Sequence, residues 1–240
     1  MIKQARDRVV FAMDVAHFED AQRFVRLLRN RIGLFKVGKQ LFTHAGPKVL
    51  DMIRQHGQRA FLDLKFHDIP NTVAKASQEA TRLEVAMFNV HALGGLEMMK
   101  AAVQATREKA KELGTRKPLL LAVTVLTSLD DRSLRQVGIE GGVEEMVSRL
   151  ARLSVEAGMD GVVASPREIG LIRKACGQDF VIVTPGVRPA AAAKDDQRRV
   201  MTPGDAIKAG ADYLVIGRPI QDAPDPVEAV ERIVEEIEAV

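Results

Sequence analysis

Eight short apolar segments recur along the 240-residue chain, and a segment with helical periodicity follows most of them. Near-continuous apolar runs are typical of parallel strands that are covered on both faces. Eight strand–helix units in a chain of this length predict an α/β protein with a closed (β/α)8 TIM barrel, which needs about 250 residues. The predicted strands are Val9–Val15, Leu34–Lys39, 59–66, Val85–Ala92, Pro118–Leu126, Asp160–Ser165, Phe180–Val187 and Asp212–Ile220.

An open, doubly wound sheet is the alternative arrangement of alternating strands and helices. Such sheets usually carry a glycine-rich GxGxxG turn after the first strand, whereas this chain has MDVAHFED at residues 13–20. No linker, low-complexity tract or shift in composition divides the chain. We therefore expect residues 1–240 to form one barrel domain.

The composition argues against a nucleic-acid partner. The formal net charge is only +3, and the basic residues are interleaved with acidic ones. With one Tyr and no Trp, the chain has few aromatic side chains on which bases could stack. A small acidic ligand fits this mild positive charge better than a nucleic acid does.

The sequence also predicts a cytoplasmic location. A lone cysteine, Cys176, cannot form an internal disulfide and fits a reducing compartment. The first residues lead from charged positions directly into a strand-like run, without the apolar core of a signal peptide. No segment approaches the roughly 18 apolar residues of a membrane span, so we expect no membrane partner.

Polar and charged residues gather where the predicted strands end. In barrel enzymes the working groups lie at the C-terminal ends of the strands. A cluster of such residues at one face is stronger evidence for a functional site than any single charge in a loop. The residues at these ends are Asp14, Lys36, Asp63, Lys65, His91, Thr127, Ser165, Arg188, Gly217 and Arg218.

The third strand, within FLDLKFHDIP (residues 61–70), carries the most unusual charges. Side chains alternate along a strand, so Asp63 and Lys65 should point into the barrel mouth, with α-carbons about 6–7 Å apart. Neither charge is easily buried alone. We expect both to join Lys36 and Asp14 of neighbouring strands in an alternating network. A functional network is favoured, although a purely structural ion cluster is the alternative.

A phosphate site is predicted across the mouth from these charges. Phosphate sites of barrels often use the loops after strands 7 and 8, where glycine-containing turns supply backbone N–H groups. Here those turns are 185–189 and 217–219, and Arg218 adds a fork of donors for a phosphate. The polar stretch 190–199 between them either closes over a ligand or is a plain surface loop.

Two histidines, His67 and His91, also lie near strand ends and are candidate bases. Hydrogen-bonded loop histidines are the favoured interpretation of both. No HxH or HExxH spacing is present, and a metal site needs three or four converging ligands. We therefore predict no metal site.

These residues resemble the orotidine 5′-phosphate decarboxylase family over nearly the whole chain. The Asp-x-Lys-x-x-Asp core is shared with a wider set of barrel enzymes, but the long third-strand motif combined with Gly-Arg-Pro after strand 8 is more specific. The resemblance is carried by FLDLKFHDIPNTV (61–73), KVGKQLF (36–42), AVTVLTS (122–128), TPGVRP (184–189), DQRRVMTP (196–203) and VIGRPI (215–220).

The resemblance implies a role for each matching position. Lys65 would donate the proton, Asp63 would face the substrate carboxylate, and Lys36 would hold the sugar and the charge network. Asp68 would act in the neighbouring subunit's active site, near Thr72, which implies a homodimer with shared sites. The other implied substrate contacts are Asp14 to the ribose, Thr127 to the pyrimidine, and Arg188, Pro189, Gln197, Gly217 and Arg218 at the phosphate end.

The implied reaction is the conversion of orotidine 5′-phosphate to UMP, the last step of pyrimidine nucleotide synthesis, without a cofactor. Loss of CO₂ leaves a carbanion at C6 that has no ordinary electron sink. A barrel that places Lys65 beside that carbon needs no cofactor to stabilise the charge.

Three other functions remain open from the residues. A magnesium-dependent enzyme of the same wider set would use acids on strands 2 and 3, but strand 2 offers Lys36, which is a poor ligand for a hard cation. A Schiff-base aldolase would use Lys65 as its nucleophile. A non-catalytic phosphate-binding protein would not require Lys65 between two acids.

Overall fold

The computed structural model describes residues 4–189 and 201–240, and its strands close into a barrel. Each strand pairs in parallel with the next, and β8 pairs with β1. The strands are β1 Val9–Ala12, β2 Leu34–Gly38, β3 Ala60–Phe66, β4 Met87–His91, β5 Leu119–Val123, β6 Gly161–Val163, β7 Val181–Pro185 and β8 Tyr213–Ile216. The predicted (β/α)8 barrel is therefore confirmed, with its eight strands in the predicted order.

Most strands are shorter than predicted because the chain turns away at the barrel mouth. The clearest case is β8, which ends at Ile216, since Gly217 leaves the extended conformation and Arg218 begins a short helix. The apolar pattern predicts a strand that continues to Ile220. Shorter strands leave the polar residues at their ends on turns, where side chains can converge on the mouth.

Helices surround the barrel. Two helices follow β2, and they are separated at Gly46 (φ 58°) and Pro47. No helix in the described ranges combines the length and apolarity needed to cross a bilayer. The α-helices are α1 Phe18–Leu28, α2 Lys39–Ala45, α3 Lys48–Gln55, α4 Pro70–Arg82, α5 Gly95–Leu113, α6 Asp131–Gln136, α7 Val143–Glu156, α8 Ile169–Cys176, α9 Pro203–Ala209, α10 Arg218–Gln221 and α11 Pro226–Glu238.

Two apolar clusters divide the core, one inside the barrel and one between barrel and helices. The alternation predicted for β3 is confirmed, since Phe61 belongs to the inner cluster while Leu62 belongs to the outer one, against which Leu64 and Phe66 pack. The inner cluster is filled by Val10, Ala12, Leu34, Phe61, Met87, Leu121, Val123, Val163, Val183, Tyr213 and Val215. The barrel is a packed core, so a ligand can enter only at an end.

The pairing of β3 with β4 is irregular. Leu62 pairs with Phe88, but Phe66 pairs with Val90, so the register shifts by two residues over this interval. Lys65 lies inside it with φ 55°, the left-handed region that non-glycine residues seldom adopt. The regular strand geometry predicted for Asp63 and Lys65 is therefore wrong at Lys65, although the even shift keeps the faces of the strand unchanged.

Candidate active site

A cavity of about 460 Å³ opens at the C-terminal ends of the strands. This volume lies in the range of sites for small ligands. Four cationic and two anionic side chains line it, which favours a ligand with more than one negative charge. Eight of the residues predicted for the site are in its lining: Asp14, Lys36, Asp63, Lys65, Thr127, Arg188, Gly217 and Arg218.

Four charged residues on or just after the first three strands form a continuous chain of ion pairs. Lys36 Nζ lies 2.9 Å from Asp14 Oδ1 and 3.5 Å from Asp63 Oδ2. The other oxygen of Asp63, Oδ1, lies 2.5 Å from Lys65 Nζ. The predicted alternating network is thus present, in the order Asp14, Lys36, Asp63, Lys65.

Lys36 is the most buried member of this network. Its side chain is 8% exposed, whereas that of Asp14 is 59% exposed. Burying an ammonium group is costly unless it is paired, and Lys36 has a carboxylate on each side. Gly38 leaves room for this arrangement, because a Cβ atom there would lie 3.1 Å from Lys36 Nζ and 3.2 Å from Asp14 Oδ1.

Asp63 is held as a carboxylate by its surroundings. Burial by itself would raise the pKa of Asp63, but the charges of Lys36 and Lys65 and hydrogen bonds from Lys65 and Asn89 outweigh it. The pKa of Asp63 therefore lies below its ordinary value of 3.8. A fixed negative charge consequently faces the cavity at neutral pH.

Sequence reasoning missed Asn89, which lies on β4 and is 1% exposed. Its Nδ2 donates a hydrogen bond to Asp63 Oδ1 at 2.7 Å, and its Oδ1 accepts one from the Lys65 backbone N–H at 2.8 Å. The available signal was an amide within the apolar run VAMFNVHA, since a buried amide needs hydrogen-bond partners. Gly38 was missed too, because the space around a glycine is visible only in three dimensions.

The opposite side of the cavity is formed by the ends of β7 and β8. Gly217 and Arg218 line it at the start of α10, and Arg188 lines it beyond β7. Gly186, also in the lining, has φ 79°, which favours glycine at this turn. The backbone N–H of Arg188 donates a hydrogen bond to the carbonyl of Met201 at 3.2 Å. The described segments before residue 190 and after residue 200 are therefore in direct contact. The guanidinium groups and glycine turns suit a phosphate.

Several predicted site residues do not line this cavity. Asp68 and Thr72 are exposed around the start of α4, and the Asp68 carboxylate accepts a hydrogen bond from the N–H of Ile69 at 2.6 Å. Pro189 is half-buried and borders the described range. Gln197, together with most of the predicted closing loop, lies outside the described residues. The roles of these four residues stay predictions.

The interpretation of His91 as a hydrogen-bonded loop histidine needs correction. Its Nδ1 atom is buried and has no hydrogen-bond partner among the described residues, and its ring centroid lies 5.5 Å from that of His67. Burial, His67 and nearby lysines lower the pKa of His91 to about 4. His91 is therefore neutral at physiological pH, and it is absent from the cavity lining.

The positive charge that the cavity offers to a ligand comes from lysine and arginine. In residues 4–189 and 201–240, no group of three or more His, Cys, Asp or Glu side chains is arranged to hold a metal ion. In the cavity, the two carboxylates Asp14 and Asp63 are separated by the ammonium group of Lys36. The ammonium group of Lys36 therefore lies between the two carboxylates, in the position that a metal ion bridging them would occupy.

Comparisons with known proteins agree with this geometry. The family model described as Orotidine 5′-phosphate decarboxylase / HUMPS family matches residues 7–233. The orotidine 5′-phosphate decarboxylase of Syntrophotalea carbinolica is 61% identical over 100% of this chain and 98% of its own length. That of Geobacter sulfurreducens is 61% identical over 98% of each chain.

Solved structures give the same result. The crystal structure of orotidine 5′-phosphate decarboxylase from Lactobacillus acidophilus has a TM-score of 0.85 and 38% identity, covering 95% of this chain and 98% of that one. The corresponding enzyme of Pyrococcus horikoshii has a TM-score of 0.76 and 26% identity, covering 97% and 100%. The chain therefore belongs to the Orotidine 5′-phosphate decarboxylase / HUMPS family.

Proposed function

We propose that this chain decarboxylates orotidine 5′-phosphate to UMP without a cofactor, and that Lys65 protonates the C6 carbanion. The observation that carries the proposal is the chain of ion pairs Asp14–Lys36–Asp63–Lys65 in the same 460 Å³ cavity as Arg218. The full-length relatives named above carry this activity in their names. The reaction completes the synthesis of UMP, as the resemblance implies.

The chemistry requires positive charge at one carbon. The bond between C6 and the carboxylate carbon breaks, CO₂ leaves, and the electron pair remains on C6. The Lys65 ammonium group, beside Asp63 in the cavity, stabilises this pair and transfers a proton to it, so that a C–H bond forms. The neutral amine then regains a proton from water.

Asp63 makes the substrate carboxylate unstable in the site. Its lowered pKa keeps it ionised, so a substrate carboxylate placed beside it meets a like charge. The repulsion disappears as CO₂ departs as a neutral molecule. Lys36 and Lys65 hold Asp63 ionised when the substrate arrives, since both pair with it in the free site.

The remote phosphate supplies the binding energy that holds the ring against this repulsion. Arg188, Gly217 and Arg218 bind the phosphate, and Pro189 and Gln197 extend that side of the site. Asp14, whose carboxylate lies close to Gly217, and Lys36 bind the ribose hydroxyls next to the phosphate. Thr127, which follows β5, contacts the pyrimidine.

The active form is a homodimer in which Asp68 and Thr72 complete the partner's site. Both residues are exposed and lie outside the cavity of their own chain, which supports this assignment. Ile69 beside them is 65% exposed, and Leu93 after the neighbouring strand is 41% exposed. Exposed apolar side chains at the site's edge suit an interface between subunits.

The cytoplasmic location rests on the lone Cys176 and stays a prediction.

The test is an ultraviolet assay for loss of orotidine 5′-phosphate, run with and without EDTA. We expect equal turnover in both. Loss of turnover in EDTA would instead favour the magnesium-dependent alternative. Trapping of a carbonyl substrate on Lys65 by borohydride would favour an aldolase. Binding of UMP without any turnover would leave only a phosphate-binding protein.

A further inference from the structure

Asn89 is a polar residue in the barrel interior, and its burial requires a physical explanation. It lies in the middle of β4, paired with Leu121 of β5, and only 1% of its surface is exposed. Its neighbours in the chain, Phe88 and Val90, are both fully buried in the outer core. An apolar residue would fit this position, so a buried amide here indicates a specific hydrogen-bonding task.

The two ends of the Asn89 amide contact two different charged residues of β3. Its Oδ1 accepts from the backbone N–H of Lys65, and its Nδ2 donates to the carboxylate of Asp63. Both contacts fall in the interval where the β3–β4 register shifts. The side chain of Asn89 thus takes the place of a backbone partner where the ladder between the two strands is interrupted.

The backbone of Lys65 requires such support. With φ 55°, Lys65 is in the left-handed region, where the backbone of a non-glycine residue is strained. A residue stays in this conformation only when its surroundings hold it there. In this conformation Lys65 Nζ reaches Asp63 Oδ1, the same oxygen to which Asn89 donates.

We propose that Asn89 is a positioning residue that fixes the backbone of Lys65 and the carboxylate of Asp63 in the geometry needed for proton transfer. The inference rests on the proposed function, because it assigns Lys65 and Asp63 their roles. Asn89 itself is absent from the cavity lining, so it acts through these two residues and does not touch the ligand.

The first test is Asn89→Leu, which keeps the approximate volume and removes both hydrogen bonds. We expect kcat to fall about 100-fold, since small displacements of catalytic groups have effects of that size. KM and the inhibition constant of UMP should change by less than about threefold, because the phosphate and ribose contacts are intact. A purely structural role would lower stability without this separation of kcat from KM.

The matched control is Thr106→Val. Thr106 is also fully buried, and its hydroxyl donates a hydrogen bond to the carbonyl of Ala102 at 2.7 Å, on helix α5. Removing this hydrogen bond should lower the melting temperature to a similar extent and leave kcat unchanged. An equal fall of kcat in both variants would overturn the assignment.

A second variant of nearly the same size separates the two hydrogen bonds of Asn89. Asn89→Asp keeps the acceptor for the Lys65 N–H but replaces the donor to Asp63 with a second carboxylate. Since the hydrogen bond from Asn89 helps to lower the pKa of Asp63, the acidic limb of the kcat profile should move to higher pH. A wild-type kcat and pH profile in Asn89→Asp would contradict the inference.

The two proposals fail in different ways. A wild-type chain without decarboxylase activity would overturn the proposed function and this inference with it. An active wild-type chain, with both Asn89 variants retaining wild-type kcat, would overturn only the inference.

Discussion

Lys65 Nζ lies 2.5 Å from Asp63 Oδ1, although a single residue separates the two along β3. In a regular strand, side chains two residues apart stand side by side with α-carbons about 6–7 Å apart. Here the left-handed backbone at Lys65 accompanies a direct ion pair. The cavity therefore contains an ammonium group that is already oriented toward a carboxylate before any ligand binds.

Gly38 offers a test of how closely the side chains of the ion-pair network pack against the backbone. In Gly38→Ala, the new Cβ would lie 3.1 Å from Lys36 Nζ and 3.2 Å from Asp14 Oδ1, so the pair must shift by a few tenths of an ångström. We expect kcat/KM to fall about tenfold in a folded protein, because the ribose contacts and the position of Lys36 change together.

The control for this prediction is Gly170→Ala. Gly170 lies within α8, and a methyl group added to its α-carbon would have open space within 4 Å, apart from the adjoining residues and backbone of the helix itself. Alanine there should raise stability by about 0.5–1 kcal/mol through helix propensity and leave steady-state kinetics unchanged. If both variants keep the wild-type kcat/KM, the network is not as tightly fitted as the distances indicate.

His91 predicts a pH dependence of stability. Its pKa is lowered to about 4 in the folded protein, from 6.5. Stability that depends on neutral His91 is fully present above pH 6.5 and is lost as the pH falls through 4, because the unfolded chain binds the proton more readily. Relative to His91→Gln, the wild type should lose about 1–2 kcal/mol over this range, after allowance for partial exposure of the ring.

Urea unfolding of both proteins between about pH 4 and pH 8 measures this difference. Parallel curves of stability against pH would show that the ring is protonated as easily in the folded chain as in the unfolded one.

The sequence allowed the barrel and most of its mouth to be predicted, for a physical reason. Buried parallel strands appear as apolar runs, and their C-terminal ends must meet at one face, so Asp14, Lys36, Asp63 and Arg218 could be placed near one another. The resemblance then supplied the family, which the full-length relatives confirm.

Features that depend on exact backbone geometry could not be predicted. The register shift between Leu62 and Phe66 and the left-handed Lys65 arise from the pairing of two strands, which no local pattern encodes. The buried amide of Asn89 was visible in the sequence, but its partners could not be predicted, since they are 24 and 26 residues away in the chain. The assignment of Asp68 depends on a second subunit and stays a prediction.

Arg218 should distinguish phosphate binding from chemistry. In Arg218→Ala we expect kcat/KM for orotidine 5′-phosphate to fall about 10- to 100-fold, the loss expected for charge-assisted hydrogen bonds. Turnover of orotidine, which lacks the phosphate and which we expect to react more slowly, should hardly change. Arg149→Ala, an exposed arginine paired with Glu145 on α7, is the control and should behave as wild type. Equal losses for both substrates would contradict a phosphate role.

Subunit mixing tests the shared site. Lys65→Ala and Asp68→Ala should each be strongly impaired alone. If Asp68 acts in the partner's site, a mixed dimer has one site with both defects and one with neither. Co-expression in equal amounts should then restore about one quarter of wild-type activity, since half of the dimers are mixed.

The pair Lys65→Ala and Asp63→Ala is the control for this experiment, because both residues belong to the site of their own chain. Their mixed dimers should show no recovery. An absence of recovery in the Asp68 pairing as well would place Asp68 outside the partner's site.

The central claim is that Lys65 supplies the proton and the positive charge for the reaction at C6, and the most direct measurement is turnover of orotidine 5′-phosphate by Lys65→Ala. Ultraviolet absorbance should show a loss of at least about 10⁴-fold in kcat, while circular dichroism and UMP binding show a folded protein with an intact phosphate site. Near-normal turnover by this variant would contradict the account.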